Sequence, residues 1–420
     1  MICIADKSKI SIFDYFYLFC IIVYAGGATI FARSMSTPFT IGNTVALLLT
    51  IVLIWKNKIK FKQHFGIAIL LFTLYAVLTF IQNSQLSPMW LSIWYINLLI
   101  TYVINTHYRH KLLSVYETII YHLSIISLIF WGLYLIAPSA IESIVSIFEF
   151  SSSYSTDIQS KNMIVYTLMD SERQEINEFV KFPRNAGFAW EPGAFACFIC
   201  LAIFCNIIRT NLRLKNNIQL WILLVALLTT SSTTGYFILI AIFILWVLCN
   251  SKYGHLMYII PIAIILFQQP FVKDKIMEEY GNIEYVNLAA YNDEDMHALG
   301  RLASFQLDWE EFLRHPILGL GGYSKGSWLE QQGYDNIATI SGIGKLLSRY
   351  GIIMSITFII LLLQSVKRIN NQFSVRNGLL MIVTIIGMMI SYDLWTDPLF
   401  MAFWMYGIWN QPTNQLLRKV

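Results

Sequence analysis

Apolar runs separated by short polar intervals organise the whole chain. They fall at about 11–32, 39–55, 65–81, 89–105, 112–137, 192–208, 218–234, 235–250, 255–272, 341–364, 377–392 and 398–411. A helix needs about 20 apolar residues to cross the hydrocarbon of a bilayer, and fewer where its ends are buried in protein. The pattern therefore predicts an all-α polytopic membrane protein with about 12 transmembrane helices. Lys7 and Lys9 precede the first run, and "AGGATIFA" at its end resembles a cleavage site. With so many further spans behind it, the run reads as a retained first helix and not a signal peptide.

Charge orients the helices. With a cytoplasmic N-terminus, alternate loops carry Lys56, Lys58, Lys60 and Lys62, then Arg109 and Lys111, then Arg209, Arg213 and Lys215, then Lys252, then Lys367, Arg368 and Arg376, and last Arg418 and Lys419. The opposite short loops carry only Arg33. That asymmetry is the positive-inside rule, and it puts both termini in the cytoplasm. Two long polar segments then lie outside and hold most of the acidic residues. Five regions follow: 1–138 with helices one to five, 139–191 as the first large extracytoplasmic loop, 192–272 with helices six to nine, 273–340 as the second large loop, and 341–420 with the last three helices. The two loops are too rich in apolar and aromatic residues for linkers, so folded caps are expected. No internal repeat is visible, which argues against an inverted-repeat transporter.

Composition agrees. Of 420 residues, 56% are hydrophobic and 13% charged, where a soluble domain has roughly 25% charged. The net charge of +4 is small, and its placement in short loops gives no nucleic-acid footprint. None of the six cysteines lies in a long polar loop, so no disulfide framework is expected. Cys197 and Cys200 form a CxxC inside an apolar run, which suits packing. There is no Walker A, GxGxxG, HExxH or GxSxG signature.

Four stretches carry the candidate chemistry. In "FPRNAGFAWEPGAF", Pro192 forces Glu191 out of the α region and opens a helix, placing Glu191 at its N-cap beside the positive end of the helix dipole. Arg184 lies one step away, with Gly187 as the flexible joint between them. The same residues also suit a helix cap and an interfacial arginine. In "GRLASFQLDWEEFLRHPILGLGGYSKG", Leu302, Phe305, Trp309, Phe312 and Leu313 share one helix face, with Arg301 at the helix start and His315 before the terminating Pro316. Gly319 and Gly321 then make a turn whose backbone N–H groups could face an anion. In "SGIGKLLSRYGI", Lys345 and Arg349 share a face, either snorkelling to the interface or lining a site for an anionic substrate. "LLTTSSTTGYF" closes a hairpin, with its break expected at Thr234–Gly235. Asp14, Glu117 and His122 lie near helix ends within the spans, where ionisable groups are functional candidates.

Taken together, these stretches resemble a family. "RNAGFAWEPGAF" is similar to the Arg-x-x-Gly-Phe…Pro-x-x-Phe signature of the O-antigen polymerase and ligase superfamily. "GRLASFQLDWEEFLRHPILGLGGYS" resembles its Gly-Arg…His-Pro-x-x-Gly-x-Gly block. "LLTTSSTTGY" and "LLSRYGII" fit as well, so the resemblance covers about 180–365. It implies a bacterial inner-membrane glycosyltransferase that uses polyprenyl-diphosphate-linked glycans, as donor and acceptor, at the extracytoplasmic face. Ligases of this superfamily carry a His at the outer entrance to the span after the second large loop. Here that region reads "DNIATISGIGKLLSRYG", without His, which favours a polymerase of O-antigen or capsule repeat units.

On that reading, Arg184, Arg301 and Arg349 hold the diphosphate, and Glu191 takes the acceptor proton, with Asp335, His297 and His315 as substitutes for that role. Gly187, Pro192, Lys345, His315, Gly319 and Gly321 complete the substrate-binding set. No metal or cofactor is implied, because the donor is already activated. The partners implied are the lipid-linked glycans, the bilayer, a flippase and a chain-length regulator. The competing readings are an O-antigen ligase or other lipid-linked oligosaccharyltransferase, and a polysaccharide flippase.

Overall fold

The structure, a computed structural model, describes residues 10–26, 41–84, 87–147, 161–168, 183–250, 260–261, 264, 268, 297–321, 326–334 and 336–410. It is mostly helical. Helices α1 (Ile12–Gly26), α2 (Ile41–Asn57) and α3 (Gln63–Asn83) come first. Next is α4 (Pro88–Tyr108), where Pro88 sits in the first turn and the Ser87 hydroxyl accepts from Trp90 N–H. A 3₁₀ turn, Arg109–Lys111, joins it to α5 (Leu112–Ile136). The described part of the first large loop holds α6 (Pro138–Ile147) and an antiparallel hairpin of β1 (Lys161–Met163) and β2 (Tyr166–Leu168).

The chain continues through α7 (Pro192–Thr210), α8 (Ile218–Thr229) and α9 (Thr233–Cys249). The described part of the second loop holds β3 (His297–Ala298), α10 (Arg301–Arg314), α11 (Trp328–Gln331) and β4 (Ile337–Ala338), with β3 and β4 pairing in parallel. Last come α12 (Gly342–Phe373), α13 (Leu380–Ser391), α14 (Pro398–Trp404) and α15 (Tyr406–Trp409).

Among the described residues, four helical stretches are long and apolar enough to cross a membrane: Gln63–Asn83, Pro88–Ile136, Pro192–Thr210 and Gly342–Phe373. Their surroundings differ. Of the apolar window, 89% is buried in α7 but 22% in α3. Helix α7 is thus the hub, packed against α5, α8, α9 and α13. Helix α3 instead turns Leu70, Leu71, Leu74 and Ile81 outward, and α12 does the same with Ile356, Ile359, Ile360 and Leu363. Contiguous apolar surface of this extent is costly in water, and with the long helices it is what a membrane protein presents. Helices α1, α2, α8, α9 and α13 are shorter and apolar. The interval 255–272, read as a ninth span, lies almost wholly outside the described residues.

Two helices differ from the continuous spans expected. Helix α12 breaks at Gly351 (φ 66°, ψ −174°), a combination essentially restricted to glycine. The segment after α10 patches the break. Leu320 and Gly321 N–H donate to Ser348 and Arg349 carbonyls (3.1 and 2.8 Å), and Ile352 and Ile353 N–H donate to Pro316 and Ile317 carbonyls (2.8 and 3.3 Å). The last expected span, 398–411, is split into α14 and α15. There Ser365 donates to the Trp404 carbonyl and accepts from Gly407 N–H, both at 2.8 Å. Asn97, Thr101 and Asn105 of α4 donate to the Thr396, Pro398 and Ala402 carbonyls. Away from water each freed carbonyl must find a protein donor, and side chains supply them here.

The hairpin between α8 and α9 breaks at Thr230–Ser232, a few residues earlier than expected, because Ser232 caps α9 by accepting from Gly235 N–H. Contacts also sort the helix ends. Arg209, at the end of α7, pairs with Glu117 at the start of α5. Asn211, Asn250 and Asn377 meet where α7 and α9 end and α13 begins. The opposite ends gather near Arg184.

Candidate functional site

The segment before α7 is pinned to the α8–α9 hairpin. Asn185 is fully buried. Its N–H donates to the Thr229 carbonyl (3.0 Å), and its amide donates to Thr229 Oγ1 (3.0 Å) and Ser127 Oγ (3.2 Å). Its Oδ1 accepts from Gly187 N–H at 2.9 Å. Gly187 has φ +53°, and a Cβ there would run into the Phe195 ring. The Gly187 carbonyl accepts from Thr167 N–H at 2.6 Å. The flexible joint expected at Gly187 is thus a fixed left-handed turn, held from both sides.

Arg184 is aimed by this turn. Its Nε donates to the Thr230 carbonyl at 3.1 Å, its one hydrogen bond among the described residues. The terminal N–H groups of the fork are left for another acceptor. Burial lowers the Arg184 pKa. Arg301 pulls the same way, while Tyr392 and Glu191 pull against it. Arginine remains charged through such shifts.

Pro192 opens α7, with Glu191 extended at the N-cap (φ −155°, ψ 160°). The Glu191 side chain makes no capping hydrogen bond. It faces the Tyr392 hydroxyl and lies within electrostatic reach of Arg184, yet forms no ion pair with it among the described residues. Tyr392 also stacks edge-on against Trp190, with ring centroids 5.7 Å apart. Its hydroxyl occupies the space a Cβ at Gly193 would fill. Arg301, the first residue of α10, lies within electrostatic reach of Arg184, Tyr392 and Cys197. Two arginines and a carboxylate, from segments more than 100 residues apart, therefore converge beside the N-terminus of α7.

Lys345 and Arg349 lie in the first turns of α12, in a second charged cluster that the spacing of the two cations did not reveal. Lys345 Nζ stands 4.0 Å from Asp393 Oδ2. Asp308 of α10 is within electrostatic reach of Lys345, Arg349 and Asp393. Asp308 Oδ1 accepts from Thr339 Oγ1 at 3.1 Å, and Oδ2 has no hydrogen-bond partner among the described residues. Burial pushes the Asp308 carboxyl up to about 7, against the pull of Lys345 and Arg349. Two cations are thus matched by two acids. Successive residues, Tyr392 and Asp393, connect this cluster to the first.

The remaining expected site residues sit apart from any ligand role the geometry displays. Gly321 N–H is taken by the Arg349 carbonyl and Gly319 N–H by His315 (3.0 Å), so these groups face the fold and not an anion. His315 caps the end of α10, and its Nε2 lies 3.7 Å from Glu311 Oε1. His297 pairs in β3, and Asp335 lies outside the described residues. Glu117 is bound bidentately by Arg209 (2.9 and 2.7 Å), Asp14 accepts from His107 (3.0 Å), and His122 is exposed. Cys197 and Cys200 are free and buried in α7.

The sequence pattern alone does not single out Tyr392, Asp393, Asp308 or Asn185. The polar island "SYDLWTDP" between apolar runs was the available signal for the first two. Asp308 and Asn185 have no local signature. No model of a known protein family matches the chain, and no curated protein matches it.

Proposed function

We propose that this chain is a membrane glycosyltransferase that joins polyprenyl-diphosphate-linked repeat units, a polymerase of O-antigen or capsule type in the bacterial inner membrane. It has twelve spans, with both termini and the basic loops cytoplasmic and the arginine cluster at the extracytoplasmic face. The observation that carries this reading is the meeting of Arg184, Arg301 and Glu191 at the bundle end opposite the basic loops, with the carboxylate within electrostatic reach of Arg184 but in no ion pair with it among the described residues. The motif resemblance and the lack of the ligase histidine support the same choice.

In the reaction, Arg184 and Arg301 hold the donor diphosphate and stabilise the charge it gains. The acceptor sugar hydroxyl attacks the anomeric carbon, the bond to the phosphate oxygen breaks, and the lipid diphosphate leaves with the electron pair. Glu191 receives the hydroxyl proton, and direct attack inverts the anomeric centre. Tyr392, facing Glu191, positions the carboxylate.

The test uses purified protein in vesicles with lipid-linked repeat units. Glu191→Gln preserves size but cannot take a proton, and general-base loss costs about 10²–10⁴-fold in rate. A rate within a few fold of wild type removes Glu191 from the mechanism. In cells lacking the gene, single repeat units on lipid are expected. Long chains still on lipid indicate a ligase, and units trapped on the inner leaflet indicate a flippase.

A further inference from the structure

Helix α10 is inside out. The residues it turns inward include Ser304, Asp308 and Glu311, with Ala303 and Leu307 between them. The apolar residues it turns outward are Leu302 (37% exposed), Trp309 (41%) and Leu313 (56%), beside exposed Arg314 at its end. A water-facing cap does the reverse, because burying charge and exposing apolar surface are both unfavourable. Arg301 begins the helix and Arg314 ends it, and the Arg314 guanidinium lies over the Trp328 ring at 4.9 Å.

The apolar edge does not stop at the end of the helix. Ile317, 58% exposed, follows the Pro316 turn, and its carbonyl accepts from Ile353 N–H at 3.3 Å. Ile352 and Ile353 are exposed in turn and lead into the outward face of α12, Ile356, Ile359, Ile360 and Leu363. Helix α12 is one of the four stretches long and apolar enough to cross a membrane. The surface of α10 is therefore continuous with the outward apolar face of a helix long enough to span a bilayer.

We propose that α10 is an interfacial helix whose Leu302–Trp309–Leu313 edge, with Ile317, is seated in the headgroup–acyl boundary of the bilayer. A helix with an apolar aromatic face and cationic ends binds there, buried by about 5–10 Å. Trp309 suits that depth, because an indole is apolar in body and polar at its N–H. The inference rests on the membrane reading above and deepens it. Seated this way, α10 brings Arg301 to the depth of lipid phosphates, where a diphosphate carried on a polyprenyl tail must lie.

The test measures depth and not catalysis, so it can fail while the glycosyltransferase reading stands, and the reverse. Full-length protein in phosphatidylethanolamine–phosphatidylglycerol nanodiscs carries a nitroxide at single cysteines placed at 302, 309 and 313, with Gln332→Cys as a water-exposed control. Collisions with oxygen should exceed those with a water-soluble nickel chelate at the three helix positions, and the order should reverse at 332. If removing the native cysteines prevents folding, p-benzoylphenylalanine at 313 in the otherwise native chain gives the second readout, and a phospholipid adduct is expected. Nickel-dominated relaxation at 302, 309 and 313, or shielding from both colliders, overturns the proposal. So does the absence of lipid adduct.

Discussion

Glu191 occupies the N-cap of α7 without capping it, and this separates the two roles its position allows. A cap lends about 1 kcal/mol through a side-chain bond to the first turn, and that bond is missing. Arg184 has its Nε on the Thr230 carbonyl, so its position depends on one edge of the guanidinium, and the diphosphate contact proposed for it would use the other. Lysine can do one of these and not both. A charged hydrogen bond is worth about 1.5–3 kcal/mol. Polymerisation by Arg184→Lys should therefore fall roughly 10–100-fold at normal protein level, and by Arg184→Ala further. Full activity in the alanine variant would end the diphosphate role.

Asp308 gives a prediction in pH. Burial pushes its carboxyl from 3.8 up to about 7 in the fold. Between those values the native state holds a proton that the unfolded state has released. Stability from this group is full below about pH 4 and lost as pH rises towards 7. Thermal midpoints in detergent should drop more steeply from pH 5 to 7.5 in wild type than in Asp308→Asn. Parallel curves would mean that Asp308 is already ionised.

At the scale of elements, broken helices and their patches are the recurring device. Helix α12 breaks where Gly351 takes a left-handed φ, and a Cβ there would meet the Ile317 carbonyl. The break exposes two carbonyls, which the Leu320 and Gly321 N–H groups cover. This ties the end of the second large loop to α12 and fixes how Asp308 meets Lys345. Gly351→Ala should cost about 1–3 kcal/mol through the forbidden backbone alone, with crowding added. Its thermal midpoint in detergent should fall well below that of a control such as Ala→Gly at exposed Ala140, and an unchanged midpoint would contradict the break. The glycines of "ILGLGG" and "SRYGI" were visible in the sequence. That they serve each other, with two spent as backbone donors, was not, because the two segments approach only after the chain folds.

Across the whole molecule, the helices run between two chemically different ends. One gathers Lys56–Lys62, Arg109, Arg209 and Lys367–Arg376. The other gathers Arg184, Glu191, Arg301 and Tyr392. If the first end is cytoplasmic, external maleimide should label Gln332→Cys but not Lys60→Cys or Asn371→Cys. All three positions are solvent-exposed, so reactivity reports sidedness and not burial. Labelling at Lys60→Cys from outside would invert the molecule and move the arginine cluster to the cytoplasm.

Most helix positions were determined by the sequence alone, because apolar runs, Pro192 and Pro398 at first turns, and serine caps act within a few residues of themselves. The start of α7, the N-cap placement of Glu191, and the place of Arg301 at the head of α10 followed from the same local rules. Tertiary structure decided the rest. It placed Tyr392 before Glu191, matched Lys345 and Arg349 with Asp308 and Asp393, and fixed Gly187 by Asn185 and Thr167. It also turned the apolar face of α10 outward, although the periodicity of that face was legible. A helical pattern states which residues share a side. Whether that side is buried or left outward depends on neighbours brought in from distant parts of the chain: here Asp308 packs against Gly344 of α12, while Ser304 and Glu311 accept from the Ile340 and Trp328 N–H groups.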